Sequence, residues 1–188
     1  MSLPRLQAVA LTLSAPGATR DDDREALLAA VVSATGRDGS VVRAGRVCPH
    51  CGGTDHGRPW AEADGCAVGV SLARTSGVLA IAVAPDVVGV DVERVSRVAA
   101  APLDVFTTGE RTRAEGDVRA LAACWAVKEA VLKRDGRGLR VDPVSVDVDL
   151  ARGVAVLDGR PQPVTVLYPD DDVVVAVAAG GLPVSGGA

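Results

Sequence analysis

Lysine is almost absent from this chain. Of its 20 basic residues, 18 are arginine and two are lysine, Lys128 and Lys133, five positions apart. Aromatic residues are nearly as scarce, with two Trp, one Tyr and one Phe in 188 residues. A base-stacking nucleic-acid platform needs more rings than that. The formal net charge of −4 also leaves no broad basic face for a polyphosphate backbone, so nucleic acid is not an expected partner. No apolar run approaches the roughly 18 residues that span a bilayer, and Ala8 to Leu13 is too short for a secretory core, so no membrane association is expected. Four cysteines in a chain of this length do not form the dense framework of a small secreted scaffold, and the cytoplasm is the expected location. No Gly-x-x-x-x-Gly-Lys-Ser/Thr loop is present to cradle a nucleotide.

What is present is patterned. Ala8 to Leu13 reads as a first strand. Asp21 to Thr35 reads as a helix, acidic in its first turn and stopped by Gly36. Ser40 to Pro59, rich in Gly and Pro, reads mostly as a loop, basic through Arg43, Arg46 and Arg58. Ala67 to Ser71 and Val78 to Ala84 form a hairpin pattern around Arg74 to Gly77. A strand over Val87 to Glu93 and a helix over Val118 to Arg134 follow, then short β-like runs at 144–148, 164–167 and 173–178, and a tail over 180–188 expected to fray. This order suits an α+β fold. It is either two similar halves, 1–85 and 86–188, or one layered domain without internal symmetry.

Within Val87 to Glu93, alternation puts Asp91 and Glu93 on one strand face, roughly 6.5–7 Å apart at their backbones. Such a pair suits a hard cation, although a lone Asp-x-Glu is usually just a solvated strand face. In the second helix, Trp125, Glu129 and Lys133 share a face and Lys128 sits beside it. An ordinary Glu–Lys pair one turn apart is the bland alternative, but these two lysines are all that the chain has. Three carboxylates with lysines alongside point to chemistry at a phosphate.

The strings Gly89-Val-Asp-Val-Glu93 and Trp125-Ala-Val-Lys-Glu-Ala-Val-Leu-Lys133, with Phe106-Thr-Thr-Gly-Glu110 between them, resemble the signature motifs of the Sfp-type 4′-phosphopantetheinyl transferases. Gly136 to Leu139 is similar to the loop after that helix, and Cys48 to Pro59 to a Cys-x-x-Cys segment of bacterial members. The resemblance implies two pseudo-symmetric halves with coenzyme A in the cleft between them. The enzyme is then a cytosolic, monomeric, Mg²⁺-dependent transferase that moves the phosphopantetheine arm onto a serine of an apo acyl- or peptidyl-carrier protein. By the same resemblance Asp91, Glu93 and Glu129 hold Mg²⁺, and Glu129 is the base toward the carrier serine. Lys128 meets the phosphate under attack or the leaving oxygen, Lys133 the pyrophosphate and Arg58 the nucleotide phosphates. Where the family carries Ser-His-Ser for the 3′-phosphate, this chain has Ser71-Leu72-Ala73. Either Arg74 takes over that contact or coenzyme A binds more weakly, in which case a non-catalytic binding partner is the alternative function. Arg43 and Arg46 are phosphate candidates by location, and His56 is expected to line the nucleotide site. A zinc knuckle from Cys48, His50, Cys51 and His56, with Cys66 as a further ligand, is a competing use of that loop.

Overall fold

The computed structural model describes residues 6–101 and 104–186. Eleven strands among these residues form two sheets, each carrying helices. In the first, β1 (Val9–Ser14) is followed by α1 (Arg20–Thr35), β2 (Val42–Val47), β3 (Arg58–Ala63), β4 (Cys66–Thr75) and β5 (Val78–Ala84). The second begins with β6 (Gly89–Arg94), then α2 (Val95–Ala100), α3 (Thr108–Ala114), α4 (Val118–Asp135), β7 (Val146–Asp149), β8 (Val154–Leu157), β9 (Arg160–Leu167) and β10 (Val173–Ala178). Strand β11 (Val184–Gly186) returns to pair parallel with β1. Spatial order is β11-β1-β5-β4-β3-β2 in one sheet and β6-β10-β9-β8-β7 in the other. Leaving β11 aside, both sheets run first, fifth, fourth, third, second strand, with the helices inserted after the first.

Local signals account for the helices. Thr19 and Asp22 form a reciprocal capping box on α1, and Thr107 and Glu110 form another on α3. Asp117 caps α4 through the Arg119 amide, and Gly136, at φ 88°, ends it in the left-handed conformation.

Three apolar layers follow from the strand alternation. Val88, Val90 and Val92 meet Val173, Val175 and Val177 and the inward faces of β1 and β5, so the two sheets pack face to face. Helix α1 covers the outer face of the first sheet through Leu27, Ala30 and Val31. Helix α4 covers the outer face of the second through Ala123, Ala126, Val127, Ala130 and Val131. No helix among the described residues is long and apolar enough to cross a membrane.

Helices α2 and α3 and strand β3 are not among the elements expected from sequence, and two expectations are overturned. The segment expected as loop, Ser40 to Pro59, contains β2, because Val42 and Ala44 point inward while Arg43 stays exposed. The tail expected to fray from Gly180 is instead tied down by β11 on β1, as far as residue 186; Gly187 and Ala188 lie outside the described residues.

Candidate functional site

The site is built where β6 lies against α4. Gly89 opens β6 at a point of close approach, since a Cβ there would come 1.9 Å from the Ala130 carbonyl oxygen and 2.8 Å from the Arg134 nitrogen. With α4 that near, Asp91 and Glu93 project into the seam beneath the helix, both buried. Asp91 Oδ1 is 2.6 Å from Lys133 Nζ, which also donates to the Val90 carbonyl at 3.1 Å. The Val90 N–H donates to Ser71 Oγ at 3.0 Å, so the outermost strand of this sheet is stitched to β4 of the other.

Asp91 Oδ2 is buried with no hydrogen-bond partner. Burial drives the Asp91 carboxyl up to about 7; Lys133 opposes the rise, and Glu93 and Glu129 add to it. The Glu129 carboxyl is likewise raised by burial and by Glu93, again against Lys133. Glu93 is the most fully engaged of the three. Its Oε1 accepts from Trp125 Nε1 at 3.0 Å and its Oε2 from Arg97 at 3.2 Å. An orphaned carboxylate oxygen among three acidic groups suits a hard divalent cation with oxygen preference. Their oxygens are nevertheless neighbours rather than a closed ligand set. Among the described residues the one trio of metal-ligating groups within 4.8 Å of one another is Cys48, Cys51 and His56.

Beside the carboxylates is a groove of about 240 Å³ walled by Arg46, Arg58, Ser71 and Lys133, with Gly136 and Gly138 after α4. Strands of the first sheet and the end of α4 contribute to it. A neighbouring groove of about 460 Å³ shares Arg46 and Leu72 and runs along the start of α1 past Arg20, Arg24 and Trp60. The Arg58 guanidinium lies against the cap of α4, 2.7 Å from where a Cβ on Gly136 would stand.

The expected residues therefore divide. Asp91, Glu93, Glu129 and Lys133 come together, and Arg46, Arg58 and Ser71 line the groove with Lys133. Ser71 is 4% exposed and already bonded to Val90. Arg74 is held by Asp23 at 2.9 Å and the Gly17 carbonyl at 2.8 Å, and lines neither groove. Arg43 is exposed on β2 and also lines neither. Both His56 nitrogens are engaged within its own loop, by Asp55 and Cys51, so its ring does not wall the groove. Lys128 departs furthest from expectation. It is 0% exposed on the opposite flank of α4, 2.9 Å from Glu110, and also donates to the Pro143 and Val146 carbonyls. Its adjacency to Glu129 in sequence puts it about 100° round the helix, toward the core. Sequence reasoning assigned no role to Glu110, Arg97, Arg20 or Arg24. The Thr-x-x-Glu spacing at Thr107 was the available signal for Glu110.

Lys133 joins the acidic cluster to the basic groove, bonding Asp91 while lining the groove. Residues 87–178, just under half of the chain, match the model of the 4′-phosphopantetheinyl transferase superfamily. That span runs from β6 to β10 and supports the superfamily, and with it transferase chemistry on phosphopantetheine, whose donor in these enzymes is coenzyme A. No curated protein matches the chain.

Proposed function

We propose that this protein is an Sfp-type 4′-phosphopantetheinyl transferase that moves the phosphopantetheine arm of coenzyme A onto a serine of an apo acyl- or peptidyl-carrier protein, releasing adenosine 3′,5′-bisphosphate, as a monomer. The observation that carries the proposal is the unpartnered, buried Asp91 Oδ2 beside Glu93, Glu129 and Lys133, the last of which also lines the Arg46–Arg58 groove. Support for two halves of like fold, 1–85 and 86–188, comes from their matching strand orders, with the groove drawing residues from both.

In this mechanism Arg46 and Arg58 bind the nucleotide phosphates and Lys133 the pyrophosphate, bidentate guanidinium contacts fixing its orientation. Asp91, Glu93 and Glu129 would hold Mg²⁺, which supplies charge neutralisation on the pyrophosphate as its bond breaks. Glu129, its proton affinity raised by burial and by Glu93, takes the proton of the carrier serine. Trp125 and Arg97 hold Glu93 in place.

Incubation of the protein with coenzyme A, Mg²⁺ and an apo carrier protein should add one phosphopantetheine mass to the carrier. Glu129→Gln should remove that gain while leaving the circular dichroism spectrum unchanged. No mass gain across fatty-acid, polyketide and peptide carriers would overturn the assignment. One observation favours a second reading, a non-catalytic partner of coenzyme A or a carrier. With Leu72 in place of histidine and Arg74 committed to Asp23, no cation expected at the 3′-phosphate is free to meet it. Carrier binding without turnover would select that reading.

A further inference from the structure

The connection from β2 to β3, Cys48 to Gly57, has chemistry that phosphopantetheine transfer does not use. It contains the Cys48, Cys51 and His56 trio, whose ligand atoms all lie within 4.8 Å of one another. Cys51 Sγ and His56 Nε2 are 3.4 Å apart. A tetrahedral zinc with bonds of about 2.3 Å to sulfur and about 2.05 Å to nitrogen sets those two atoms about 3.6 Å apart.

The backbone is already shaped around thiolates. The Gly53 N–H points at Cys51 Sγ at 3.4 Å, and the turn is closed by Gly52 N–H to the Cys48 carbonyl and Cys48 N–H to the Gly53 carbonyl, both 2.9 Å. Backbone amides of Cys51 and His50 draw the Cys48 thiol down to about 7, with help from the Cys51 and His56 side chains. Asp55 Oδ1 lies 2.7 Å from His56 Nδ1. That places the ring proton on Nδ1 and turns the Nε2 lone pair toward the sulfur, the carboxylate–histidine arrangement that orients a metal ligand.

We propose that Cys48, Cys51 and His56 bind one zinc ion, with Asp55 orienting His56 and the fourth position open to solvent. Cys66, at the start of β4, and His50 stand outside the trio. The bound ion would brace one wall of both grooves. Thr54 and Asp55 line the larger groove, and Gly57 and Arg58 the smaller. Arg20 donates to the Asp55 carbonyl at 3.0 Å and Arg46 to the Gly57 carbonyl at 3.2 Å, so the loop positions groove residues on either side.

The test is a titration of the full chain with Co²⁺ and then Zn²⁺, after chelator dialysis under reducing conditions, with free thiols counted and excess Mg²⁺ occupying the carboxylates. The expected result is one equivalent of Co²⁺ showing thiolate charge-transfer absorption, displaced by one equivalent of Zn²⁺. Cys51→Ser should abolish that absorption, and Asp55→Asn should weaken zinc binding roughly 10- to 100-fold. Zinc should raise the Tm of the native chain and not that of Cys51→Ser. If Cys51→Ser fails to fold, Cys48→Ser and Asp55→Asn carry the same comparison. Wild-type protein with its thiols free and no charge-transfer band, or binding unchanged in these variants, would overturn the proposal. None of these readouts involves phosphopantetheine transfer, so the site and the transferase assignment fail separately.

Discussion

Lys128 Nζ and Glu110 Oε1 lie 2.9 Å apart with both side chains wholly excluded from solvent. The pair ties α4 to α3, and through the Val148 amide, 2.8 Å from the same Glu110 oxygen, to β7. Removing one partner leaves the other charge buried and uncompensated, at a cost of about 3–5 kcal/mol. Lys128→Met and Glu110→Gln should each lower stability on that scale in denaturant unfolding, and the double variant should lose less than the sum. If Lys128 acts on substrate instead, Lys128→Met would depress transfer without depressing stability.

The pH dependence of stability should carry the signature of Asp91. Its folded pKa, raised from 3.8 to about 7 by burial first, means that the native state keeps a proton the unfolded chain has lost across that interval. The resulting stabilisation is fully present below pH 3.8 and is lost as pH rises through about 7. In EDTA, Asp91→Asn should therefore gain in Tm relative to wild type between pH 4 and pH 8. Added Mg²⁺ competes with the same proton, so it should stabilise wild type more at pH 8 than at pH 6, with little effect on the variant. Parallel Tm profiles for the two proteins would contradict this account.

Much of the acidic side of the site was legible because strand and helix periodicity alone place Asp91 with Glu93 and Glu129 with Lys133. Helix α4 and the hairpin β4–β5 were legible for the same reason, their apolar positions being dense and uninterrupted. Strands β2 and β3 were obscured because Gly45, Pro59 and the arginines mask the inward alternation of Val42, Ala44, Ala61 and Ala63. Strand β11 was invisible because its order comes from pairing with β1, some 170 residues earlier. Lys128 was misjudged for a different reason. A buried lysine is rare enough that sequence alone sends it to the surface or the substrate, and its burial here depends on Glu110 from another helix and the Pro143 and Val146 carbonyls.

Arg58 reaches from β3 to the C-terminal cap of α4, where the helix dipole favours a cation. If its guanidinium binds a nucleotide phosphate across the groove, Arg58→Ala should raise the KM for coenzyme A by roughly tenfold or more, since hydrogen bonds to charged groups contribute on that scale. Arg58 stands apart from the carboxylates, so kcat should change little. Arg43→Ala, on an exposed position away from both grooves, is the matched control and should leave KM unaltered. A fall in kcat at constant KM would place Arg58 at the reacting phosphate instead.

Gly89 is the position at which the fold and the site depend on one atom. A Cβ there would sit 1.9 Å from the Ala130 carbonyl oxygen, far inside any real contact, and both partners are backbone of packed elements with no flexible side chain to move aside. Gly89→Ala must therefore push α4 off β6, separating Glu129 and Lys133 on the helix from Asp91 and Glu93 on the strand. Overpacking of this kind costs about 1–3 kcal/mol or more. The expected outcome is a lowered unfolding midpoint together with weakened Mg²⁺ binding, measured on protein that still gives a folded circular dichroism spectrum. Gly116→Ala is a useful contrast. That residue has positive φ, at 84°, which Gly89 does not, and nothing lies within 4 Å of its would-be Cβ, so its substitution should cost backbone strain alone and leave Mg²⁺ affinity as it was. Equal effects of the two substitutions on metal affinity would show that the close approach of α4 to β6 does not set the carboxylate geometry.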